Sequence, residues 1–155
     1  MTKLQTALLR CFSTNFMVYY QSHVAHVNLR GSDFLQYHQF LGEIYGDAQE
    51  NIDKLGEFLR ICECDMPESL GSLMVTSEVT DVFPLTPTKW GDYVRIFTVT
   101  YENIETLIDL YVALYKLAEA AGDFGLSGYV QERLITHKKQ CWKLKMLLEE
   151  QYNDD

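Results

Sequence analysis

The sequence predicts an all-α protein, a bundle of four long helices whose connections run short, long, short. Three observations carry this. All three prolines, Pro67, Pro84 and Pro87, fall in one stretch of the middle third, so the chain on either side is free to be helical. Apolar residues on both flanks recur at steps of three and four, and no segment of any length alternates with the period of two that marks a strand. Of the 155 residues, 47% are hydrophobic, enough to bury a core, and the length suits a single domain over 1–155.

Each element can be justified in order. The first helix, about residues 3 to 28, carries a loose apolar stripe through Leu8, Cys11, Phe12, Tyr19 and Val24. Gly31 in Arg30-Gly31-Ser32-Asp33 can end it, and Ser32 or Asp33 can cap the next. The second helix shows two seven-residue columns, Phe34, Leu41, Ala48, Leu55 and His38, Tyr45, Ile52, Leu59. Gly42, Gly46 and Gly56 lie inside it at about 1 kcal/mol each against Ala, and read either as close helix approach at a dimer seam or as simple tolerance. The connection from Cys64 to Thr88 is long enough to run the length of the bundle, with a small helix over Glu68–Met74. The third helix has the seam Phe97, Tyr101, Ile104, Ile108, Tyr111, Tyr115, Ala118. Gly122 opens a turn, and the fourth helix continues with Val130, Leu134, His137, Cys141, Leu144, Leu148.

Charge narrows the function classes. Lys and Arg total 13 against 22 Asp and Glu, a net −9 that repels DNA phosphates and anionic lipid and draws in cations. No apolar run approaches the roughly 20 residues that span a bilayer. Met1 to Phe16 lacks the apolar core of a secretory signal, which places the protein in the cytoplasm by expectation. The four cysteines read as free thiols. Cys62 and Cys64, taken as i and i+2 on a helix, point apart and argue against a metal site.

Four residues stand at telling positions. His26 lies near the end of the first helix and His38 one turn into the second, so a tight turn can bring two imidazoles together. Asp53 and Glu57 are i and i+4, one above the other on one helical face. Imidazoles with carboxylates suit Fe(II), with Zn(II) or Mn(II) as alternatives. Fifteen residues of helix separate His38 from Asp53, roughly 22 Å at 1.5 Å rise per residue, so they cannot hold one metal within one chain. Either the pairs are unrelated, or an antiparallel two-fold partner lays its Asp53 and Glu57 against this chain's His26 and His38.

The stretch His26-Val-Asn28-Leu-Arg-Gly31-Ser-Asp-Phe34-Leu-Gln-Tyr-His38, followed by Asp53-Lys-Leu-Gly-Glu57, resembles the signature of the Dps family of ferritin-like proteins. His137-Lys138-x-x-Cys141-Trp142-x-Leu144 falls where that family carries a similar C-terminal pattern. The resemblance covers nearly the whole chain. It implies a ferritin-like bundle with a long crossover, assembled from two-fold dimers into a hollow dodecamer. Such a cage oxidises Fe(II), usually with hydrogen peroxide, and stores ferric mineral. By the match, His26 and His38 bind iron from one subunit and Asp53 and Glu57 from its partner.

The chain departs from that pattern at defined places. Gly42 stands where the family has an aspartate ligand, and Glu43 points about 140° round the helix from His38. His23, one turn before His26, is the candidate extra ligand. Val27 replaces a tryptophan that would serve as a radical sink, and Phe58 replaces an arginine. His137 reads as a packed core histidine, and Trp142 with the ten tyrosines as core or interface. Asp123 and Glu132 are candidates for a cation pore by the family's architecture, with solvated surface charge as the alternative. DNA binding is disfavoured, since only Lys3 precedes the first helix and the chain ends Asp154-Asp155. The alternative to an iron-oxidising store is a structural cage, or a DNA-associated structural protein, that kept the fold and lost efficient oxidation.

Overall fold

The computed structural model describes residues 1–81 and 90–149. Among these the helices are α1 (Lys3–Asn28), α2 (Phe34–Ile61), α3 (Leu70–Thr76), α4 (Tyr93–Ala120) and α5 (Phe124–Glu149), with no strand. The architecture is the all-α bundle that the periodicity predicts. Pro84 and Pro87 lie outside the described residues. The small helix forms two residues later than expected, because Ser69 rather than Glu68 opens it: its hydroxyl accepts from the Ser72 N–H, and the Ser72 side chain answers at the Ser69 N–H.

The apolar columns become the core. Leu41, Ala48, Leu55, Leu59, Phe97, Ile104, Tyr111 and Ala118 are all buried, and a fully buried Leu stabilises by about 1.5–3 kcal/mol. They divide into two clusters. Leu41 and Ile44 of α2 pack with Ile96, Phe97 and Ile104 of α4 and Leu144 of α5. Leu55 and Leu59 pack with Leu107, Tyr111 and Leu114, with Leu126 and Val130, and with Leu8 and Phe12 of α1. The starts of α2 and α4 therefore share one end of the bundle, which requires a crossover of bundle length between them.

That crossover follows α1. Ser13 Oγ meets Thr76 Oγ1 at 2.6 Å, the Glu78 N–H donates to Thr14 Oγ1 at 2.9 Å, and Gln21 Nε2 donates to the Thr80 carbonyl. Ser13, Thr14 and Gln21 are consequently buried, and these polar residues are why the α1 stripe is loose in sequence. At its start, a capping box of Thr2 and Gln5 fixes α1, and Gln5 Nε2 also reaches the Cys62 carbonyl at 2.8 Å.

The α1–α2 turn sets the geometry of the site end. Gly31 has φ +129°, a region open to glycine, and a Cβ there would collide with the Tyr93 hydroxyl. That hydroxyl donates to the Arg30 carbonyl, while the Arg30 N–H donates to the Trp90 carbonyl. Asp33 occupies the cap position of α2, but its side chain makes no capping bond, so the expected side-chain cap is absent and the turn rests on backbone contacts such as Phe34 N–H to Gly31 O at 3.2 Å. The other sharp turn uses Gly122 at φ +69°, and Asp123 caps α5 by accepting from the Leu126 N–H at 3.0 Å.

One further expectation changes. α2 ends at Ile61 and Glu63 takes a positive φ of 57°, so Cys62 and Cys64 do not stand two apart on a continuous helix; all four cysteines are free. Two of the three α2 glycines, Gly42 and Gly56, stand at close approaches within the chain. A Cβ at Gly42 would meet His26 Cε1 at 3.0 Å, one at Gly56 would meet Met66 Sδ at 2.9 Å, and Gly46 faces open space.

Candidate metal centre

α1 delivers His26 in its last turn and α2 delivers His38 in its second turn, on opposite sides of the Gly31 turn. The antiparallel helices bring the imidazoles face to face. Their ring centroids are 3.6 Å apart with 16° between planes. Each ring is also tied to the other residue's backbone: His38 Nδ1 lies 2.6 Å from the His26 carbonyl oxygen, and His26 Nδ1 bonds the His38 carbonyl oxygen. A carbonyl only accepts, so both Nδ1 atoms carry the hydrogen and both Nε2 atoms keep a lone pair. A backbone carbonyl on Nδ1–H fixes the tautomer and the ring orientation, which prepares a histidine for a metal. Burial holds the His26 pKa below that of a free imidazole, with the nearby His38 and His23 rings acting in the same direction and the bond to the His38 carbonyl against it.

Gly42 has a physical role in that pair. With its Cβ position only 3.0 Å from His26 Cε1 and 3.2 Å from Nδ1, the absent side chain leaves the room into which the imidazole leans. The space beside α2 is filled by the ring. His23 does not join the pair: it stacks on Tyr45 at 4.0 Å and 7°, its Nδ1 sits 3.4 Å from the Tyr19 hydroxyl, and its ring centroid is 6.2 Å from that of His26.

Asp53 and Glu57 are exposed on the distal half of α2, remote from His26 and His38. Among the described residues, no three His, Cys, Asp or Glu side chains converge as a metal site. One chain therefore holds His38, with His26 of α1 against it, near the start of α2 and the carboxylate pair toward its other end, as the rise per residue requires. Asp123 is engaged as the α5 cap, and Glu132 is exposed further along α5. Glu43 lies on the outer surface, 4.0 Å from Lys143.

A family model described as a ferritin-like domain matches residues 5–151. The chain belongs to the ferritin-like family. Among solved structures, this ferritin-like chain resembles the Dps protein of Vibrio cholerae O1 at TM-score 0.83 and 21% identity, over 94% of this chain and 89% of that one. Dps from Listeria monocytogenes matches at TM-score 0.86 and 17% identity, over 96% and 95%, and Dps from Thermosynechococcus elongatus at 0.84 and 22%, over 94% and 90%. The Vibrio protein is a member of a broad superfamily of ferritin-like diiron-carboxylate proteins. No curated protein matches the sequence. At these identities the likeness establishes the fold, and no helix among the described residues is long and apolar enough to cross a membrane.

The middle of the bundle holds a second polar cluster between the two apolar ones. Arg133 of α5 grips Asp47 of α2 with Nη1 at 3.0 Å and Nη2 at 2.6 Å, and Nη2 also donates to His137 Nε2 at 3.1 Å. His137 Nδ1 then donates to Gln140 Oε1 at 2.8 Å. His137 is the packed core histidine that its seam position predicts. Arg133 and Asp47 are the residues that sequence reasoning missed, and the available signal was an arginine one turn before a seam histidine. Trp142 is 61% exposed, so in the single chain it is not core.

Proposed function

We propose that this protein is a Dps-like mini-ferritin that binds Fe(II) at sites shared between two-fold partners, oxidises it, with hydrogen peroxide as the oxidant, and stores the ferric product inside a hollow homo-oligomer. The observation that carries the reading is the reciprocal tie between His26 and His38, which leaves two Nε2 lone pairs available at one end of α2. An isologous dimer supplies the missing half without further machinery, since the same two-fold that presents one chain's imidazoles presents the other's Asp53 and Glu57. Their carboxylates bring the negative charge that stabilises the ferric product. The dodecamer, the cytoplasmic setting and a cation pore at Asp123 and Glu132 belong to the same reading, and the net −9 favours gathering Fe(II) over binding DNA.

In the reaction so read, Fe(II) is the substrate. His26 and His38 donate through Nε2, and their bonded Nδ1–H groups keep the rings oriented and the tautomers fixed. Two Fe(II) deliver two electrons to one peroxide, which with two protons leaves as two waters. A second reading, a cage without efficient oxidation, is favoured by Gly42, where the family's aspartate ligand is absent and His26 fills the space.

Mixing purified protein with Fe(II) and peroxide separates the two. The first reading expects a ferric absorbance rise well above buffer, abolished in the His38→Ala, Asp53→Ala double variant. No rise in the native protein leaves the structural cage, and an unchanged rate in the double variant puts oxidation elsewhere.

A further inference from the structure

One atom in the middle of the bundle is surrounded as a metal ion would be. Arg133 Nη2 stands 2.6 Å from Asp47 Oδ2 and 3.1 Å from His137 Nε2. An arginine only donates, so His137 turns its Nε2 lone pair toward the guanidinium, while its Nδ1–H is held by Gln140 Oε1 at 2.8 Å. A carboxylate and an imidazole from two facing helices thus converge on a positive charge, and the imidazole's tautomer is fixed from behind. Two phenols lie within the field of the same guanidinium. Tyr111 stacks on His137 with centroids 5.6 Å apart, and Tyr129 donates to Asn51 Oδ1 at 2.7 Å, one turn along α2 from Asp47. The polar set is larger than the guanidinium uses: among the described residues, the buried Tyr111 hydroxyl and Arg133 Nε have no hydrogen-bond partner. The cluster also has an entrance. A cleft of about 230 Å³ between α2 and α5 is lined by Asp47 and Gln140 together with Lys139 and Lys143, and the Asp47 side chain is 22% exposed where that of Arg133 is 6%.

We propose that the Asp47–His137 cluster is a divalent-cation site held shut by the chain's own Arg133, whose guanidinium is the tethered cation that occupies it. With Arg133 in place, an entering ion must displace a charge that both Asp47 oxygens already hold, at a point where water is scarce. Lys139 and Lys143 put two more positive charges on the walls of the entrance, against the sign of a chain whose net charge is −9. Without the guanidinium, Asp47 Oδ2 and His137 Nε2 face each other across the position that Nη2 now fills. Bonds of about 2.0–2.2 Å to a divalent ion require them to draw in from 2.6 and 3.1 Å, by roughly 0.5 and 1 Å. Arg133 is therefore a specificity-determining residue: it keeps divalent metal out of the core of each chain. This inference does not depend on whether the residues at the two ends of α2 oxidise iron.

The probe is Co(II), followed by visible absorption and calorimetry on the whole protein, in a parent carrying His26→Ala and His38→Ala so that the imidazole pair is silent. Adding Arg133→Ala should create one Co(II) site per chain, at least 100-fold tighter than any in the parent. Its absorption bands should vanish when Asp47→Asn or His137→Gln is added. Arg133→Lys restores a tethered charge and should stay closed. In the opened protein, Lys139→Gln with Lys143→Gln should speed Co(II) loading several-fold; an unchanged rate removes the lysines from the device. Co(II) should raise the thermal midpoint of Arg133→Ala and leave that of Arg133→Lys where it is. If Arg133→Ala folds only with Co(II), recovery of its helical circular dichroism gives the same answer. Equal binding with and without Arg133, binding that survives loss of Asp47 or His137, or an Arg133→Ala chain on which Co(II) neither binds nor restores structure overturns the proposal. Oxidation of Fe(II) by the native protein is a separate measurement, so the iron-oxidising reading stands or falls on its own.

Discussion

Two histidine clusters share α2 as a wall, and they are built to opposite ends. At the end of the bundle, His26 and His38 spend Nδ1 on backbone carbonyls and keep Nε2 free. In the middle, His137 spends both nitrogens, accepting from Arg133 and donating to Gln140, at 1% exposure. The first arrangement fixes a tautomer and leaves a ligand. The second uses the ring as a buried spacer between α2 and α5, and neutrality is the condition for it. What separates a candidate metal histidine from a structural one is thus the bookkeeping of its second nitrogen, which residue type and spacing do not reveal.

The largest expected break in this comparison comes from Arg133→Met. Arg133 is 5% exposed and holds both Asp47 oxygens, so its loss strands a largely buried carboxylate and frees His137 Nε2. Urea unfolding should show a loss of about 3 kcal/mol, at the lower end for breaking a buried pair because Asp47 keeps some contact with water. A change within experimental error would show that the central cluster does not hold α2 to α5.

Acid comes next. Burial and then the Arg133 guanidinium push the His137 pKa down to about 4, with Gln140 and Asp47 opposing. The unfolded chain binds that proton near pH 6.5, so stability is full above that value and falls as pH drops from there toward 4, by on the order of 3 kcal/mol. For Asp47, burial works to raise the pKa and the Arg133 guanidinium outweighs it, leaving the carboxyl below its usual value. Its contribution is therefore present above about pH 4 and lost only in stronger acid. Unfolding midpoints that stay flat from about pH 7 down to pH 4 would contradict the neutral buried role of His137.

Gly31→Ala tests the turn that sets the imidazole pair. A side chain there faces both a positive φ and the Tyr93 hydroxyl, so a destabilisation of about 1–3 kcal/mol is expected, measured as a drop in thermal midpoint. Smallest in stability is His38→Ala. Its ring is half-buried and replaceable by water, so unfolding should change by about 1 kcal/mol or less while Fe(II) oxidation disappears. A large loss of stability there would mean that the end cluster is structural like the middle one.

The fold was legible because helix periodicity is local. The seams Phe97 to Ala118 and Val130 to Leu148 predict α4 and α5, and the proline-bearing connection predicts the order of the bundle. The candidate site was legible in part. His26 and His38 declared themselves by lying on either side of a glycine turn, and the rise per residue already separated them from Asp53 and Glu57. Less was visible where a contact joins distant parts of the chain. The crossover that buries Ser13, Thr14 and Gln21, the grip of Arg133 on Asp47, and the ring of His26 filling the space beside Gly42 have no local signature.

The amino-acid order by itself determined the helices, their short–long–short connection, the place of two imidazoles on either side of the α1–α2 turn and the spacing of His38 from two carboxylates along α2, since these depend on steps of three, four and fifteen residues along one backbone. Only the tertiary structure decided which nitrogen of each histidine is free and that position 42 is filled by a neighbour's ring. Those outcomes depend on hydrogen-bond partners and packing across helices, and a partner's identity is set by how the helices meet, not by where a residue stands in the chain.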